Sequence, residues 1–164
     1  MKIYVNGAPF EKTKYFNKRI LLDTMILCYA HDKLSPHRQT CKLMIEAGLN
    51  GLYKLHLAYQ NIVEFYSVIT SKRVLNPLPP SEASKIALSY IESSSIIKLK
   101  PKGYREAVLE ASRLNLRGGE IFDAILAFTA KDEVDFLWTE NVSDLGRFNF
   151  LRVENPLTWK WELM

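Results

Sequence analysis

Two hydrophobic patterns alternate along this chain of 164 residues. Short unbroken apolar runs occur at Ile20-Leu21-Leu22 and Phe136-Leu137-Trp138, with further strand candidates at Lys54–Ala58, Ile96–Leu99 and Phe150–Val153. Runs apolar on every residue suit strands covered on both faces of a parallel sheet, whereas strands with one wet face alternate. Between the runs the apolar spacing becomes helical. Met25 resumes it after Asp23-Thr24, and Ser35-Pro36 opens a helix that should run to about Ala47, with Gly48 at its end. In YQNIVEFYSVIT, Ile62, Val63, Phe65, Tyr66, Val68 and Ile69 wrap most of a helix, which predicts a largely buried element. Further helices are expected from Ser81 to about Ser93, from about Gly103 to Leu114, and through EIFDAILAFTA. Strands alternating with helices imply an α/β fold, a three-layer α/β/α sandwich around a mainly parallel central sheet.

Nothing in the sequence divides this unit, so one domain is expected over 19–156, flanked by an N-terminal extension (1–18) and a C-terminal tail (157–164). In the extension Asn6-Gly7 is a hairpin turn signal, and Pro9 demotes the second arm to an edge strand. Composition narrows the class further. Hydrophobic residues make up 48% and charged residues 24%, as in ordinary globular proteins, and no run approaches a membrane span. The N-terminal stretch has no signal-peptide apolar region, and Cys28 and Cys41 are not spaced as a zinc motif; both point to a reducing cytoplasm. A net charge of +4 permits a nucleic-acid partner without demonstrating one. His31, His37 and His56 each stand alone, without a partner at ligand spacing.

The chemistry lies in the acids. Asp23 follows the first buried strand at once, at the carboxyl edge where open α/β sheets bind ligands. Glu64 sits in the middle of an apolar helix, and Asp123 is the only charged residue from Ile121 to Ala130. Thr139, Glu140, Asn141 and Asp144 crowd the end of the Phe136–Trp138 strand. Each acid also has an ordinary explanation. Asp23 with Thr24 is a good N-cap, Glu64 can pair with a lysine, Asp123 suits a helix N-terminal turn, and Asp144 can cap a short helix. Right-handed crossovers nevertheless bring all parallel strand ends to one edge, so these acids converge. Two carboxylates about 4 Å apart repel by about 4 kcal/mol at an effective dielectric near 20, so such a set requires protons or cations. All-oxygen ligation favours Mg²⁺ or Mn²⁺ over zinc.

The pieces LLDTMIL, YQNIVEFYSVIT, IFDAILAFTA, LWTENVSDLGRF and VENP, in that order from Arg19 to Pro156, resemble the PIN-domain family, especially the VapC-type toxins of prokaryotes. The resemblance implies a PIN-like sandwich and a metal-dependent endoribonuclease. By motif position Asp23, Glu64 and Asp123 match the three core acids. The family's fourth acid falls where this chain has Asn141, so Asp144 is taken as the fourth charge and Asn141 as a water or metal-shell ligand. Thr24 and Thr139 would orient the acids, and Glu120 would support them. Lys33, Arg38, Arg117 and Arg147 are the expected phosphate contacts. The resemblance further implies an antitoxin partner, and together with aromatic residues expected at the surface (Tyr29, Tyr53, Trp159, Trp161) it suggests a homodimer. Two alternatives share the fold: an RNA-processing nuclease without an antitoxin, and a non-catalytic RNA-binding module, for which Asn141 is the best support. An aspartyl phosphatase is set aside because Met25 stands where its second Asp belongs.

Overall fold

A computed structural model describes residues 2–164. Five strands form the central sheet in the order β5-β4-β3-β6-β7, and every neighbouring pair is parallel. They are β3 (Arg19–Leu22), β4 (Lys54–Ala58), β5 (Ser95–Ile97), β6 (Phe136–Trp138) and β7 (Val153–Glu154). The middle strand, β3, carries the run Ile20-Leu21-Leu22, and all three side chains are fully buried. The pleat divides them between two cores. Ile20 and Leu22, with Phe136 and Trp138 from β6, face α1 (Thr24–His31), α2 (Arg38–Leu49), α3 (Tyr59–Thr70) and α4 (Pro80–Ser93). Leu21 and Leu137 face α5 (Pro101–Arg113), α6 (Ile121–Ala130) and the single-turn α7 (Val142–Leu145). These are the three layers of a PIN-like α/β/α fold. Among the described residues no helix is long and apolar enough to cross a membrane.

A second, antiparallel sheet joins the two ends of the chain in the order β2-β1-β8, from β1 (Ile3–Val5), β2 (Ala8–Pro9) and β8 (Trp161–Leu163). Asn6 and Gly7 both take positive φ, at 51° and 81°, which is the backbone of a tight hairpin. Ile3, Val5, Phe10 and Trp161 belong to the same core as α1–α4. Trp138 joins the two sheets. Its ring lies 5.3 Å from those of Tyr15 and Tyr53, 5.4 Å from Trp159 and 5.8 Å from Trp161.

Several local expectations need correction. Tyr53 and Trp161, expected at the surface, are buried at 1% and 8% exposure, because the antiparallel sheet closes over them. The exposed apolar residues lie elsewhere. Tyr59, Val63 and Tyr66 recur at i, i+4 and i+7 along one open face of α3, so that helix is buried on one side only. Gly48 does not end α2, which continues to Leu49; a Cβ at Gly48 would meet the Tyr53 ring at 2.9 Å, so glycine there allows close packing. Phe150 lies before β7 rather than within it, its ring 5.0 Å from that of Phe128 on α6. The strand expected at Ile96–Leu99 begins one residue earlier and stops at Ile97, and α5 begins at Pro101, whose missing N–H is harmless in a first helical turn.

Candidate active site

The site lies where β3 and β6 end together. The Asp23 N–H donates to the Trp138 carbonyl at 3.0 Å, so the ladder continues one residue beyond β3 and fixes the acid's backbone. Asp23 then caps α1. Its Oδ1 accepts from the Thr24 N–H at 2.8 Å, and its Oδ2 accepts from the Thr139 hydroxyl at 2.7 Å. Thr139 in turn accepts from the Asn141 N–H at 2.9 Å, which directs its own proton toward Asp23. The capping role and the delivery of a carboxylate therefore coexist in one residue.

A second relay serves Glu64. The Thr24 hydroxyl donates to Glu64 Oε2 at 2.8 Å, and the Asn61 side-chain amide donates to that hydroxyl at 3.1 Å. Gln60 holds the other carboxylate oxygen from one helical turn away, at 2.7 Å. Asn61 is fully buried, and its Oδ1 accepts from the Ala58 N–H at 2.9 Å, so this one amide ties β4 and α3 to the site. Neither Gln60 nor Asn61 was among the sequence candidates. The available signal was polarity: Asn61 lies one turn before Glu64 on a face otherwise filled by Phe65 and Ile69.

Asp123 enters from the first turn of α6. Its Oδ2 accepts from Arg147 at 3.2 Å, and the same guanidinium reaches Glu120 at 3.3 Å. Glu120 also accepts from the Arg117 N–H at 2.8 Å. Asp144 lies half-buried on α7. The electrostatics tie these groups together. Burial pushes the Asp23 carboxyl above its usual range, the Thr139 and Thr24 hydrogen bonds oppose this, and the Glu64 charge adds to it. Burial also raises Asp123; Arg147 opposes, while the charges of Asp144 and Asp23 push it further. Asp23 and Glu64 are thus joined through Thr24, and Asp123 lies near enough to Asp23 and Asp144 for their charges to act on it.

Among the described residues no three acidic, histidine or cysteine side chains stand in ligating positions around one point. The donor set nevertheless suits a hard divalent cation. It consists of carboxylate oxygens, and the donors to Asp23 and Glu64 are neutral hydroxyl, amide and backbone groups that leave both charges uncompensated. Asn141 contributes its backbone N–H to Thr139. Of the expected phosphate contacts, Lys33 and Arg117 are exposed, Arg38 opens α2, and none of the three forms an ion pair among the described residues. Arg147 is engaged with the acids. Beside the cleft the Tyr29 hydroxyl donates to Glu140 at 2.6 Å; that bond and burial push its pKa up to about 12, so it remains a donor. Cys28 and Cys41 are free and buried.

Ribonuclease VapC40 of Mycobacterium tuberculosis is 31% identical over 117 residues, covering 68% of this chain and 84% of the relative. Among solved structures, the fold is similar to VapBC2 from Rickettsia felis bound to a DNA fragment from their promoter. There the TM-score is 0.61 at 21% identity, over 83% of this chain and 97% of that one. It is also similar to Mycobacterium tuberculosis VapC20, a sarcin–ricin loop cleaving toxin. That match has a TM-score of 0.59 at 11% identity, over 78% of this chain and 94% of the other. No protein-family model matches the sequence.

Proposed function

The chain belongs to the VapC family of ribonuclease toxins, and from that premise we propose that it is a metal-dependent endoribonuclease whose metal is held by Asp23, Glu64, Asp123 and Asp144. The single observation that carries the reading is the Asp23–Thr139–Thr24–Glu64 constellation, in which neutral donors aim two carboxylates into one cleft without neutralising them. Mg²⁺ or Mn²⁺ is the fitting ion, and when bound it activates a water for in-line attack and stabilises charge on the scissile phosphate. The chain's own residues do the positioning. Thr139 and Thr24 direct the carboxylates by donating to them, and Gln60 fixes the rotation of Glu64. Asn141 serves through its N–H, which orients Thr139. RNA is the substrate, reached through the basic residues Lys33, Arg38, Arg117 and Arg147 at the cleft and around it. An antitoxin is the expected protein partner.

The test is cleavage of single-stranded RNA by purified protein. EDTA should stop it and added Mn²⁺ should restore it; cleavage that persists in excess chelator removes the metal from the mechanism.

We also propose a homodimer formed through the open face of α3. Val63, at 69% exposure, lies in the centre of this face, and Phe122 adjoins it because its carbonyl accepts from Gln60 on α3. Such apolar exposure is usual where a partner covers it. Val63→Lys should convert the dimer to a monomer by light scattering without lowering the melting temperature of the folded unit. An unchanged mass would place the interface elsewhere.

A further inference from the structure

The cleft already contains a cation, and it is part of the chain. Arg147 reaches Asp123 and Glu120 with its two terminal nitrogens, and its side chain is only 24% exposed. The guanidinium stands against the Phe148 ring, 5.9 Å from its centre, and its Nε is buried without a partner. Among the described residues Asp23, Glu64 and Asp144 form no ion pair, so this arginine is the one basic group bonded to the four acids. We propose that Arg147 is a built-in counter-cation that occupies Asp123 until a divalent ion takes its place, so that metal loading and release of Arg147 are a single exchange.

This rests on the metal reading above and adds to it. An arginine is a donor with no lone pair to offer a metal, so it cannot join the ion's ligands. A guanidinium and a divalent ion on one carboxylate repel each other strongly in a half-buried cleft. The two therefore compete for Asp123, and the arginine is the mobile partner because it has a second anchor. Glu120 lies at the exposed rim and can keep hold of the guanidinium after Asp123 is given up. There the planar fork faces outward, in the form suited to a phosphate oxygen pair. The same exchange accounts for the half-buried Arg147 standing between Asp123 and Glu120 rather than free for RNA.

The experiment is a calorimetric titration of Mn²⁺, without RNA, into the wild type, Arg147→Met and Arg147→Lys. Met keeps an unbranched apolar chain and removes the charge, whereas Lys keeps the charge but cannot bridge Asp123 and Glu120 together. Competition of two cations for one carboxylate is a coupling between sites, so Arg147→Met should bind Mn²⁺ at least about 5-fold more tightly than the wild type. Arg147→Lys should fall between them. Equal or weaker affinity in Arg147→Met, with the wild type still binding, overturns the exchange and leaves the metal reading standing. Mn²⁺ binding by none of the three proteins overturns both. Should Arg147→Met not fold, Arg147→Lys decides alone: tighter than wild type supports the exchange, and equal or weaker overturns it.

Discussion

Asp23→Asn should lower RNA cleavage by about 10³-fold or more while leaving the metal-free protein as stable as the wild type, or more so. The activity term follows from what the side chain contributes. Losing one aimed electrostatic group in an active site costs about 10²–10³-fold, and under the proposed function the lost group would also hold the metal. The stability term runs the other way. Burial raises the Asp23 carboxyl, which means the folded state disfavours its charged form, so at pH above its usual range this group weakens the fold. That penalty disappears as pH falls through the raised value, and Asn removes it at every pH. Asparagine can still accept from the Thr24 N–H, and the Thr139 hydroxyl can rotate to receive its amide. A melting series at neutral pH, with and without Mn²⁺, separates the two effects. The wild type should gain stability on adding the metal, because a ligand bound to the native state shifts unfolding, and Asp23→Asn should gain little. A variant that melts well below the wild type without metal would mean that Asp23 serves the fold rather than the chemistry.

Trp138→Ala should destabilise the protein by about 3–5 kcal/mol, the usual range for deleting a large buried aromatic side chain. Its indole is fully buried on β6 and touches rings contributed by both ends of the chain: Tyr15 before β3, and Trp159 and Trp161 in the tail. An alanine there leaves a cavity at the seam of the two sheets, and edge-on ring contacts are lost with it. Trp138→Phe should recover most of the loss. The indole N–H is buried without a partner among the described residues, and phenylalanine removes that orphan donor while keeping an aromatic face. Urea unfolding midpoints check both variants. If Trp138→Ala loses less than about 1 kcal/mol, the site has collapsed around the smaller side chain, and the seam is not the tight junction its geometry indicates.

The parts of the fold written in consecutive residues were readable from the sequence. Ile20-Leu21-Leu22 suits a strand covered on both faces, which puts the acid directly after it at the carboxyl edge of the sheet. The same logic placed the Thr139 cluster opposite it, and the Thr139–Asp23 hydrogen bond realises that convergence. What escaped was decided by partners remote in sequence. The tail tryptophans look like surface residues because nothing local shows that β8 pairs with β1. Gly48 reads as a helix stop, since the reason for it is the ring of Tyr53 across a packed junction. Asn61 was passed over because a buried amide has no periodic signature; only the Ala58 N–H and the Thr24 hydroxyl reveal its task. Arg147 illustrates the same point for charge. Its place in the sequence suggests phosphate, and its place in the fold is beside Asp123 and Glu120.

The hydrogen bond from Thr139 to Asp23 spans 116 residues, and Ile3 pairs with Leu163 across nearly the whole chain. A topology so rich in non-local pairing has high contact order and should fold slowly. During synthesis, a growing polypeptide that has emerged through α5 already carries Asp23 and Glu64 but has neither Asp123 nor the β6 strand that Asp23 is bonded to. Asp23 is therefore seated only once β6 and Thr139 have been made.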